Sequence, residues 1–155
     1  MTKKRVIIIS IAAIILVAPV ILLLIENGKY IVSDEGQIYT YIYDLIGEDL
    51  SEITSDVEGM VYDKDGYNVV AFRLKTDQKM EQELSRILDE KCGRIKDISN
   101  KVVPNSIRKE YTKEIENGKA ISVYSCVGFG PHGSSHVVEI WIVEREGNTY
   151  LYFIG

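Results

Sequence analysis

Two kinds of hydrophobic pattern follow an unbroken apolar run along this chain. From Val6 to Ile25 no charged residue occurs. As a helix rising about 1.5 Å per residue, that run is about 30 Å long, the thickness of a bilayer's hydrocarbon core. Beyond it, apolar residues recur at helical spacing in three places. They are Ile38, Tyr41, Ile42, Leu45 and Ile46 in QIYTYIYDLIGEDLSEI, Met80, Leu84, Ile87, Leu88 and Cys92 in TDQKMEQELSRILDEKCGRI, and Ile107, Tyr111 and Ile115 in PNSIRKEYTKEIENGK. The remaining apolar stretches are rich in β-branched and aromatic residues, which suit a pleated, half-buried surface. EGMVYDKDGYNVVAFRLKT breaks at residues 63–66, where Asp65-Gly66 is a hairpin signal because such a turn needs positive φ. AISVYSCVGFGPHGSSHVVEIWIVEREGNTYLYFIG breaks at 128–135 and 146–148, giving three strands of a meander.

These elements predict an α+β fold: an antiparallel sheet of about five strands with about three helices covering one face. Thr76 or Asp77 is placed to cap the second helix and Gly93 to end it; Pro104 and Gly118 bracket the third. The expected organisation is a tail at 1–5, a transmembrane helix at 6–25, a connector at 26–36 and an extracytoplasmic domain at 37–155. No internal repeat or low-complexity segment appears.

The flanks of the apolar run set its expected role. A secretory signal has an apolar region of about 7 to 15 residues and small residues at the cut. Here a cut after Ala18 would leave Leu16 and Pro19 around it while the apolar run continues, and no cysteine near its end invites a lipid anchor. Pro19 deprives the Ile15 carbonyl of its helical partner, a kink that a membrane helix tolerates. Lys3, Lys4 and Arg5 precede the run and only Lys29 closely follows it, so the amino terminus is expected in the cytoplasm and the domain outside the cell membrane.

Charge narrows the partners. The chain carries 18 basic and 23 acidic residues. Without the three basic residues of the tail, the outer part has a balance of about −8, which excludes the cationic phosphate neutralisation that nucleic-acid binding rests on. Anionic lipid gives it no gain either. The expected partners are the membrane, through residues 6–25, and a protein or envelope component. None of the six asparagines begins an N-x-S/T sequon, which suits a bacterial envelope protein.

Candidate chemistry concentrates in GFGPHGSSH, residues 128 to 136. Its G-x-G-x-x-G spacing lacks the following helix of a dinucleotide site, and the chain ends before the other parts of a kinase. His132 and His136 have a zinc-ligand spacing, but a glycine and proline turn offers no helix face to present them. Cys126 with either histidine, or Ser134 or Ser135 with His136, sketches a nucleophile and base, the basis of an alternative reading as a small envelope hydrolase or metal-dependent enzyme. Asp63 and Asp65 resemble the start of a calcium loop, but the glycine comes too early and Leu74 stands where glutamate is needed. Turn chemistry accounts for Gly130, Pro131 and Gly133. The expectation is therefore no cofactor, no metal and no catalytic residue, with Phe129, His132 and His136 as a binding loop and Tyr39 and Tyr43 as a second surface. Cys92 and Cys126 are either a disulfide or two buried thiols.

Overall fold

A computed structural model describes residues 29–30, 34–64, 67–129 and 135–155. The predicted transmembrane segment and the Asp65-Gly66 turn lie outside the described residues. Among the described residues no helix is long and apolar enough to cross a membrane.

The elements run β1 (Lys29–Tyr30), α1 (Glu35–Ile46), β2 (Thr54–Lys64), β3 (Tyr67–Thr76), α2 (Glu81–Lys91), β4 (Gly93–Arg94), α3 (Lys109–Asn117), β5 (Lys119–Phe129), β6 (Ser135–Arg145) and β7 (Asn148–Ile154). All strands join one antiparallel sheet in the order β1-β2-β3-β7-β6-β5-β4. The five long strands are those predicted; the two-residue β1 and β4 are too short to show a period.

Local signals explain the ends of the elements. Asp34 caps α1 by accepting the Gly36 N–H at 2.9 Å, and Gly47 closes it at φ 74°, a left-handed conformation that costs glycine least. A 3₁₀ turn, Gln78–Met80, precedes α2, with Asp77 accepting the Lys79 N–H at 3.0 Å. Thr76 is instead a buried strand residue whose hydroxyl donates to the Ile53 carbonyl at 2.8 Å. Helix α3 begins only at Lys109, so Ile107 is not part of its inner line and is exposed.

The prediction that three helices cover one face is corrected. Ile38, Ile42 and Ile46 of α1 and Leu84, Ile87 and Leu88 of α2 pack with Val70, Phe72, Leu74, Ile140, Leu151 and Phe153 on one face. On the other, Tyr111 and Ile115 of α3 pack with Ala71, Val123, Trp141, Val143, Tyr152 and Ile154, joined by Ile95, Ile98 and Val103 from the irregular segment before α3. The reason lies in the central strands: β6 and β7 place apolar side chains on both sides of the pleat, so each face must be covered. Where β2 meets β3, a Cβ on Gly59 would lie 2.5 Å from Cδ1 of Phe72, so only glycine fits against that ring.

The register gives the sheet two distinct ends. Lys64 pairs with Tyr67, Phe129 with Ser135, and Gly155 exchanges backbone hydrogen bonds with Val70, which gathers both long hairpin tips and the carboxyl end at one end of the sheet. The chain also arrives there, because Lys29 pairs with Tyr62. The β6–β7 turn, through Glu146 and Gly147 at positive φ, marks the opposite end.

Candidate functional site

The β5–β6 hairpin carries the predicted binding loop. Its strands pair from Lys119 and Glu144 up to Phe129 and Ser135, with one bulge between Ala120 and Ser122. Residues 130–134, including His132, lie outside the described residues, and of the Phe129 side chain nothing is described. His136 stands opposite Gly128.

Two features hold the hairpin in place. Cys92, just past α2, is bonded to Cys126 of β5, so the disulfide ties the end of that helix to the strand. On the opposite face Glu139 accepts from Lys101 Nζ at 2.6 Å and from Trp141 Nε1 at 3.1 Å, which fixes the irregular segment to β6. With its sulfur in the disulfide, Cys126 is neither a nucleophile nor a metal ligand, and the chemistry sketched around it is withdrawn. No group of three or more His, Cys, Asp or Glu among the described residues is placed to hold a metal.

Both ring nitrogens of His136 are enclosed, and among the described residues neither has a hydrogen-bond partner. Burial therefore holds its pKa below the ordinary histidine value. A depressed folded value means that the unfolded chain takes the proton first: this contribution to stability is full above pH about 6.5 and is lost as pH falls through the folded value. Thermal melts between pH 7 and 5 are expected to show a midpoint that declines in the native chain and declines less in His136→Phe. Equal slopes would show that His136 is not enclosed as described.

Beside this histidine the hairpin exposes two residues that sequence reasoning missed. Val127 and Val137 face each other directly across the strands and are 54% and 57% exposed. Polar and apolar residues do not alternate regularly around them, in S-C-V-G-F and H-V-V-E, so the sequence does not distinguish these positions from core.

The second predicted surface divides. Tyr39 packs against the core and its hydroxyl lies 3.0 Å from Thr54 Oγ1; burial raises its pKa. Tyr43, one turn on, is 55% exposed. Tyr43 is the more exposed of the two, Tyr39 being partly buried.

Sequence reasoning also missed a polar cluster. Beneath α3 the Glu114 carboxylate accepts from Arg73 Nη1 at 2.9 and 2.8 Å and from the Tyr152 hydroxyl at 3.1 Å, and Arg145 Nη1 lies 3.1 Å away. Arg73 also pairs with Glu58 at 2.5 Å and stacks 5.7 Å from the Tyr111 ring centroid. Burial opposes ionisation of Glu114, but the hydrogen bonds from Arg73 and Arg145 prevail and its pKa lies below the ordinary carboxylate value. A cleft of about 580 Å³ beside it is lined by Lys113, Lys119, Glu144 and Arg145 among others. Lys119 and Glu144 are engaged at 3.2 Å and Arg145 with Glu114, so the cluster ties helix to sheet. Its members lie on five elements, β2, β3, α3, β6 and β7, a juxtaposition that no local spacing reveals.

No protein-family model matches the chain, and neither a curated protein nor a solved structure does.

Proposed function

We propose that this chain is a single-pass membrane protein with its amino terminus in the cytoplasm, whose outer α+β domain is a binding module for a protein or cell-envelope component. The observation that carries the reading is the Cys92–Cys126 disulfide, because such bonds persist in oxidising compartments outside the cytoplasm. It agrees with the basic flank of Lys3, Lys4 and Arg5, which assigns the same side to the domain. Three residues separate Ile25 from Lys29 of β1, so the sheet end with the β5–β6 hairpin is the end nearest the tether. The exposed Val127 and Val137 make that hairpin the contact surface of choice.

The reading is tested by sidedness. In intact cells, protease added outside is expected to remove a tag placed after Gly155, and the cysteines are expected to react with a maleimide only after reduction. A tag reached only after permeabilisation, or thiols that react without reductant, would place the domain inside and sink the assignment.

A further inference from the structure

We infer that the upper edge of β5, at Val127 and Phe129, is a strand-addition site for a short extended segment of a partner protein. The Ile95 N–H donates to the Val123 carbonyl at 2.8 Å, so odd-numbered residues of β5 turn their peptide groups away from β6. The same alternation carries those of Val127 and Phe129 outward. Strand β4 pairs only with Tyr124 and Ser125. The residue that would next face Val127 is Lys91, the last residue of α2, where the helix leaves the sheet edge. Among the described residues no strand therefore lies beside positions 126–129, and two residues present their donors and acceptors to an incoming chain.

The two sheet edges are treated differently. The β2 edge is broken by a bulge between Ser55 and Glu58, with Asp56 at φ 48° paired to Lys75 at 3.8 Å, devices that discourage strand pairing. Over residues 126–129 and 135–138 the hairpin has neither a charge nor a proline. Its exposed Val127–Val137 pair forms an apolar shelf beside the open edge.

The size of the edge selects the occupant. Four strand residues span about 13 Å. A second copy pairing along them would bury far less than the roughly 1,200–2,000 Å² of a stable dimer. An extended peptide needs only backbone partners for affinity and a side-chain shelf for selectivity. Its preferred sequence is apolar at alternate positions, uncharged toward the Val127–Val137 side and about four residues long.

This inference rests on the binding-module reading but not on the membrane tether, and its test is independent of sidedness. The full chain, isotopically labelled in lipid nanodiscs, is titrated with an end-blocked Thr-Val-Thr-Val-Thr peptide and with the same peptide N-methylated throughout. The first is expected to slow amide exchange at Val127 and Phe129 by at least about tenfold and the second to leave it unchanged. Val127→Pro removes an outward donor that the β5–β6 ladder does not use, so it is expected to weaken binding at least about tenfold with the fold kept. Val137→Ser leaves the edge intact and is expected to weaken binding several-fold. Equal binding of the N-methylated peptide, protection at Ser55–Met60 instead, unchanged exchange at Val127 and Phe129, or a concentration-dependent dimer that itself protects these two amides would each overturn the inference.

Discussion

Replacing Cys92 and Cys126 together by serine is expected to lower stability by about 3–4 kcal/mol. The bond closes a loop over a sequence separation of 34. Opening it restores entropy to the unfolded chain that grows slowly with loop length. For a domain of this size the thermal midpoint should fall by about 12–15 °C. Calorimetry of the double variant beside the native chain, with and without reductant, checks this: reductant should bring the native chain to the variant's midpoint. A loss under about 1 kcal/mol would mean that the cross-link does not limit the unfolded state. The hairpin should suffer most, because the bond joins β5 to the end of α2 just below Val127. Faster amide exchange at residues 126–129 is expected well before the rest of the sheet responds.

Glu114→Gln is expected to cost about 2–3 kcal/mol. The substitution leaves Arg73 and Arg145 converging on a neutral amide, and removing one member of a buried pair typically costs about 3–5 kcal/mol. Here Glu114 and Arg73 keep 18% and 26% side-chain exposure, so water relieves part of the penalty. Arg73 also retains Glu58. The effect should depend on pH. Because the folded Glu114 is a stronger acid than the unfolded one, its contribution is full above pH about 4.5 and is lost as pH falls through the lower folded value. Denaturant titrations of native and variant chains should therefore differ more at pH 7 than near pH 3. A constant difference at both would show that the carboxylate's charge is not what the two arginines require.

The elements were legible in the sequence because each is a local pattern. Ile38, Ile42 and Ile46 repeat with the turn of a helix, and all three are buried as that repeat requires. The five long strands followed from β-branched and aromatic runs, although β5 and β6 reach Phe129 and Ser135, inside the predicted break at residues 128–135. At α3 the local signal misled: Pro104 suggested a start five residues before Lys109, the helix's first residue, and Ile107 was left outside the core. The candidate site was legible in outline only. The hairpin holding Phe129 and His136 was foreseen, whereas its exposed Val127–Val137 pair was not.

What the sequence determined alone was the set of helices and strands, the acidic balance and the apolar run at residues 6–25, since periodicity and composition depend on near neighbours. Tertiary structure decided that helices cover both faces, that Cys92 meets Cys126, that Glu114 gathers two arginines and a tyrosine, and that among the described residues β4 pairs with β5 only at Tyr124 and Ser125. Each of these depends on which distant strands lie side by side, a relation set by how the whole sheet closes its core.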